Sequence, residues 1–265
     1  MAAEPTLQWA WEDKTMSGHS RWSQIKRKKG KADVERGKLF SRILREITVA
    51  AKHGGGDPKI NMRLKTALES AKAGNVPQDN TKRAIQKGTG ELPGESYEEI
   101  TYEGYAPGGV AVMVRVLTDN RNRTGPEMRH AFEKFGGHTG ASGAVAWMFE
   151  RKGLVHVDAG KISEDDLLAL VLDAGALDMR RVENAYEIVT PPGEMDAVRT
   201  ALEQKGVPAL DAEVVFVPQS TVRVEGKEAH AVLRLIEALE DLDDVQAVYA
   251  NYDIPDEIME AISAA

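Results

Sequence analysis

The chain has 265 residues, of which 42% are hydrophobic and 29% charged, and its net charge is −8. This is the composition of a globular protein with room for two or three domains. There is no cysteine, which excludes disulfides, thiolate metal sites and a cysteine nucleophile and fits a reducing cytoplasm. No apolar run approaches the ~20 residues of a membrane helix, so no membrane association is expected.

The charge is unevenly placed. Residues 16–90 carry 18 Lys and Arg against 6 Asp and Glu, whereas residues 91–265 carry 15 against 33. A strongly basic module joined to an acidic remainder points to a polyanionic partner for the former. Residues 1–15 (MAAEPTLQWAWEDKT) read as a disordered extension, with Met16 as an alternative start. They lack the basic n-region of a secretory signal and the arginines of a transit peptide.

Ser17–Lys31 is a glycine- and serine-containing arm with the run Lys26-Arg27-Lys28-Lys29. Its own charge opposes compaction. Near a polyanion, Arg21, Lys26, Arg27, Lys28, Lys29 and Lys31 would meet phosphates, and Trp22 or His19 could stack on a base. The plainer reading is a solvated tail anchored by Trp22.

Asp33–His53 is the clearest amphipathic helix. At ~100° per residue, Leu39, Phe40, Ile43, Leu44, Ile47, Ala50 and Ala51 share one side, and Lys38, Arg42, Arg45 and Lys52 the other. The pattern predicts a core face opposite a cation row facing a phosphate backbone. Gly54-Gly55-Gly56 and Asp57-Pro58 end the helix. Asn61–Ala73 reads as a second helix, with Leu64, Ala67, Leu68 and Ala71 inward. Pro77–Lys87 reads as a third, with Asn75 as N-cap, Gly88 as the stop, and Lys82, Arg83 and Lys87 adding to the positive field. No loop here matches the tight turn that seats a DNA recognition helix.

Several of these stretches, GHSRW at 18–22, IKRKK, RGKLFSRILREITVAAKHGGGDP, NVPQDN and RAIQKGTGEL, resemble the YebC/PmpR family of bacterial proteins. So do YEGYAPGGVAVMV (102–114), TDNRNRT (118–124), RHAF (129–132) and EALEDLDDVQAVYAN near the C-terminus. The mitochondrial translational activators of cytochrome oxidase belong to the same family. The resemblance runs from Met16 nearly to the end. The chain departs from it in its fifteen extra N-terminal residues, in Arg27 where relatives tend to have His, and in Gly30 where they tend to have Ala. The resemblance implies a three-domain arrangement. It also implies a DNA-binding transcriptional role or, as for the mitochondrial and some bacterial members, association with the ribosome.

From Glu99 the pattern turns to strands. ITYEGYAPGGVAVMVRVLTD reads as two strands about the Ala106–Gly109 turn. Thr118–Thr124 reads as a polar loop presenting Arg121 and Arg123, a second candidate surface or simply a capping loop. A helix at 125–135 and a strand at 144–150 follow. Strand 154–158, helix 163–174, a hairpin with strands 179–183 and 186–190, helix 193–205 and strand 212–218 form a β-α-β-β-α-β unit. Helix 227–242 and strand 245–252 remain without local partners.

The expected fold is α+β: an N-terminal basic three-helix domain (16–90) followed by two ferredoxin-like α/β domains, one inserted in the other. The outer domain is 91–150 plus 219–265, and the insert is 151–218. Histidines at 19, 53, 130, 138, 156 and 230 show no metal-ligand spacing. The acids Glu237, Glu240, Asp241, Asp243 and Asp244 read as a solvated helix end. No cofactor, metal or catalytic set is expected. The resulting expectation is a non-enzymatic, nucleic-acid-binding regulator, cytoplasmic, with DNA or ribosomal RNA as partner. The acidic domains are free to hold a protein partner. A glycine-containing basic arm without a recognition helix leans toward RNA. An RNA-processing enzyme using His130 or Asp119 is the remote alternative.

Overall fold

Alternating apolar and cationic helical faces dictate the N-terminal third. The computed structural model describes residues 32–182, 184–255 and 257–259. Helices α1 (Ala32–Gly54), α2 (Met62–Ala73) and α3 (Gln78–Thr89) pack around Ile43, Ile47, Ala50, Leu64, Ala67, Ala71, Val76 and Ala84. Asn61 caps α2: its Oδ1 accepts from Leu64 N at 3.0 Å, while its amide donates to the carbonyls of Ala50 and Gly55 that end α1. One buried side chain thus closes two helix ends that would otherwise carry orphan groups.

The third helix departs from expectation at both ends. Asn75 sits at φ +55° outside the helix, which begins after Pro77, and the left-handed stop is Gly90. Gly88 stays helical for a packing reason. A Cβ there would fall within van der Waals contact of the Thr48 carbonyl and 2.7 Å from Ala51 Cβ, so α1 and α3 cross where only glycine fits.

After the helices come β1 (Glu98–Tyr105), β2 (Ala111–Thr118), α4 (Arg121–Lys134), β3 (His138–Thr139) and β4 (Phe149–Asp158). Next are α5 (Glu164–Asp173), β5 (Asp178–Val182), β6 (Ala185–Thr190), α6 (Met195–Gln204), β7 (Asp211–Pro218) and β8 (Val222–Arg223). The chain continues with α7 (Gly226–Glu240), β9 (Val245–Ala250) and β10 (Tyr252–Asp253). The fold is α+β, with the helices followed by two four-stranded antiparallel sheets. The first sheet has the order β3-β1-β2-β9 and the second β5-β6-β4-β7. The second is the ferredoxin-like 4-1-3-2 order of a β-α-β-β-α-β unit. Its strands lie in sequence between β3 and β9 of the first sheet. β8 and β10 form a small parallel pair.

Each sheet buries one face under helices. Val112, Val114 and Val116 of β2 pack with Phe132 of α4 and Leu233 and Ile236 of α7. Val155, Val157 and Ile188 pack with Leu167 of α5 and Leu202 of α6.

Two local expectations change. The segment expected as a strand at 144–150 is a 3-10 turn (Ala146–Met148) followed by β4, which runs unbroken to Asp158. The loop expected at 118–124 is in part the first turn of α4. Asn120 Oδ1 accepts from Arg123 N at 3.1 Å and starts the helix ahead of Gly125-Pro126, so Arg121 and Arg123 are helical residues.

Candidate nucleic-acid interface

The expected contacts His19, Arg21, Trp22, Lys26, Arg27, Lys28, Lys29 and Lys31 lie outside the described residues. The remaining candidates divide into two groups.

Lys82, Arg83 and Lys87 on α3 are exposed, as is Lys52 at the end of α1, where its Nζ donates to Ser96 Oγ at 2.7 Å. Asn80, Arg83 and Lys87 recur at helical spacing along one wall of a cleft of about 310 Å³. Ser41, Leu44, Arg45 and Thr48 of α1 form its facing wall, and Glu95 and Tyr97 close one end. The Tyr97 hydroxyl donates to Glu95 Oε2 at 2.8 Å, and the Arg45 guanidinium lies 5.9 Å from the Tyr97 ring centroid. Burial, with the neighbouring Glu95, pushes the Tyr97 hydroxyl pKa up. The lining combines cations, hydroxyls and one aromatic ring with Leu44, Ala84 and, at one end, the Glu95 carboxylate; the cations can meet a phosphodiester and the ring a base.

Lys38, Arg42 and Arg45 correct the sequence reading. Half-buried, all three are engaged by the end of α7 and the turn that follows it. Lys38 Nζ donates to the Asp241 carbonyl at 3.1 Å and to its Oδ1 at 3.3 Å. Arg42 donates to the Glu240 carbonyl, Arg45 donates to the Asp243 carbonyl, and Arg45 also lies 3.6 Å from Asp244 Oδ1. The solvated helix end expected at 237–244 is instead the turn that receives these cations. A second cleft, of about 640 Å³, runs beside this contact, between Lys38, Arg45 and Tyr97 on one side and Asp119, Glu127 and residues 241–244 on the other.

Asp244 anchors that turn. Its side chain is 3% exposed, and Oδ2 accepts from Thr118 Oγ1 (3.0 Å), Thr124 Oγ1 (2.7 Å) and Arg123 (2.6 Å). Burial opposes its ionisation, but Arg123 and the two hydroxyls more than offset that and hold its pKa below the usual carboxylate value. Arg123, read either as part of a second surface or as part of a capping loop, is held here in ion pairs, also bridging Asp119 at 2.9 Å. Arg121 remains exposed.

Sequence reasoning missed three further polar arrangements because their partners are far apart in the chain. Arg63 bridges Glu46 (2.7 Å) and Glu99 (2.9 Å), and Arg115 lies within 3.7 Å of both carboxylates, tying α1 and α2 to the first sheet. Glu103, 4% exposed, accepts from the backbone N–H groups of Gly143 (2.6 Å), Val145 (2.7 Å) and Ala146 (2.7 Å), which fixes the loop that carries the exposed Trp147. Arg180, Glu187, His156 and Asp211 stand opposite one another across the second sheet, on the face away from its helices. The His156 pKa is pushed up to about 10 by its hydrogen bonds to Asp211 and Glu187. Among the described residues no group of three or more potential ligands could hold a metal ion, and no helix is long and apolar enough to cross a membrane.

These features define an α+β protein whose basic helical module is clasped to an acidic two-sheet body. The family model described as "TACO1/YebC protein N-terminal domain" matches residues 20–91, and "TACO1/YebC second and third domain" matches residues 97–252. The chain belongs to this YebC family. It is 58% identical over 243 residues to a "Probable transcriptional regulatory protein" of Pelotomaculum thermopropionicum, covering 91% of this chain and all of that one. It is 56% identical over 250 residues to a protein of the same description from Syntrophus aciditrophicus, covering 94% and 100%. The crystal structure of a conserved hypothetical protein from Aquifex aeolicus superposes with a TM-score of 0.80 at 52% identity, covering 89% of this chain and 97% of that one.

Proposed function

We propose that this regulator acts by binding nucleic acid through its basic helical module, with no catalysis of its own. The observation that carries the reading is the exposed cation stripe Lys82, Arg83 and Lys87, continued by Lys52, on a module with a net positive charge in an otherwise acidic chain. Arg83 and Lys87 lie along a cleft, where a strand's phosphates would be held between two helices rather than on an open surface. Curated relatives named as transcriptional regulators support a role in gene expression.

Single-stranded or irregular RNA is the favoured partner. The cations of α3 lie along the groove rather than at a helix tip shaped for the major groove. A DNA-binding transcriptional role is the second reading, favoured by the relatives' names. Sedimentation of the native protein in cell lysate separates the two. Co-migration with ribosomes that is lost on RNase treatment or at high salt supports the RNA reading. A protein that stays at the top of the gradient but binds promoter duplex against competitor DNA supports the other.

A further inference from the structure

The most cationic face of α1 is covered by the chain's own anions. Lys38, Arg42 and Arg45 recur at i, i+4 and i+7 and reach over the end of α7. Most of their acceptors are backbone carbonyls, those of Glu240, Asp241 and Asp243, and the carboxylates of Asp241 and Asp244 stand beside them. The last carbonyls of a helix have no intrahelical partner and carry the negative end of its dipole. The turn therefore offers the three cations what a nucleic-acid strand offers: successive oxygens on a negatively charged backbone.

We propose that the Lys38–Arg42–Arg45 face is a second binding site for the phosphodiester backbone of RNA, occupied in this conformation by residues 240–244. Strand and turn compete for it. The inference rests on the nucleic-acid reading above.

Two observations support the competition. First, the closed contact is incompletely satisfied: Arg42 Nε is buried without a hydrogen-bond partner. A planar guanidinium meets a phosphate through two parallel bonds, which would engage that donor. Second, an incoming strand already has a foothold. Arg83 and Lys87 are exposed on the first cleft, and Arg45 lines both that cleft and the one beside the turn. A strand on Arg83 and Lys87 thus lies next to the first cation it must take from the turn. The ties that would yield are polar ones, the bonds of Lys38, Arg42 and Arg45 to residues 240–244 together with Arg63–Glu99, Arg115–Glu46 and Arg199–Glu69, and polar inter-domain contacts are those that permit relative motion.

The test uses the full chain, which has no cysteine of its own. Lys38→Cys with Asp241→Cys places two thiols about one lysine length apart, and a short bismaleimide bridges them. Binding of a fluorescein-labelled single-stranded oligoribonucleotide is then measured across salt concentrations, before and after bridging. If only the open state exposes the second face, closing it lowers the competent fraction and weakens the apparent affinity in proportion. The bridged form is expected to bind at least tenfold more weakly. Its salt slope should be shallower by roughly 1.4, because Arg42 and Arg45 lose their phosphates at about 0.7 each on single strands.

Equal affinity and slope in the two forms overturn the proposal and leave the Arg83–Lys87 reading intact. Absence of salt-dependent binding in both forms overturns both. If the unbridged protein binds polyglutamate as tightly as RNA, the face serves an acidic protein and the proposal falls.

Discussion

Removing the Asp244 carboxylate should uncouple the acidic turn from the sheet beneath it. In Asp244→Ala, Thr118 and Thr124 (1% and 0% exposed) lose their charged acceptor. Thr124 can turn to the Asn120 carbonyl at 3.1 Å or to Thr118 Oγ1 at 2.8 Å, so its loss is ~0.5 kcal/mol. Thr118 can then donate to Thr124 Oγ1 at 2.8 Å while Thr124 donates to Asn120, so it exchanges a charged acceptor for a neutral one at ~1 kcal/mol. Arg123, 43% exposed, keeps Asp119 and can reach water, so its bridge adds only ~0.5 kcal/mol. The sum is ~2 kcal/mol. Asp244→Asn, which keeps one acceptor oxygen, should cost about half that. The carboxylate's pKa is lowered in the folded state, so its contribution is present above the unfolded value near 3.8 and is lost as pH falls through the lower folded value. Urea unfolding at pH 7 and pH 3 measures both effects. A cost under ~0.5 kcal/mol for the alanine variant at pH 7, or a difference between variant and parent that stays constant with pH, would refute this reasoning.

Three other outcomes are expected. Gly88→Ala should cost ~1–3 kcal/mol in chemical unfolding, because the new methyl meets the Thr48 carbonyl and Ala51 where α1 and α3 cross, whereas alanine would ordinarily stabilise a helix interior. Glu103→Gln should cost ~2 kcal/mol and speed amide exchange at Gly143, Val145 and Ala146, since one carbonyl oxygen replaces two carboxylate acceptors. The folded-state pKa of His156 is raised, so its stabilisation is complete below the unfolded value near 6.5 and disappears as pH rises through about 10. The melting temperature should fall across that window by the equivalent of ~1–3 kcal/mol, and the fall should be visibly smaller in His156→Gln.

Much of the architecture was legible from periodicity. The apolar stripe of α1 from Phe40 to Ala50 defines the first core, and the return of α7 and β9 to the first sheet follows from strands that lacked local partners. Element edges were less legible. Gly125-Pro126 reads as the start of a helix, yet Asn120 caps a helix that begins four residues earlier and absorbs the proline. Gly88 reads as a stop because a sequence does not show that Thr48 and Ala51 press against it. The candidate site was half legible. Lys82, Arg83 and Lys87, read as adding to the positive field, are exposed on α3. Lys38, Arg42 and Arg45 carry the same signal but are covered by residues some 200 positions away (|i−j| 198 to 203), and helical spacing says nothing about contacts at that distance. Glu103 and Asp244 were invisible for a related reason: a single acid in a strand or turn looks solvated until its donors arrive from another segment.

The most direct test of nucleic-acid binding by the helical module is a salt titration of single-stranded RNA binding. It compares the full chain with Lys82→Glu/Arg83→Glu/Lys87→Glu. The account predicts strong salt dependence for the parent chain. In the variant it predicts affinity lowered at least tenfold at low salt and a slope shallower by about 2, one phosphate contact for each reversed cation. Affinity and slope unchanged by the triple reversal would contradict it.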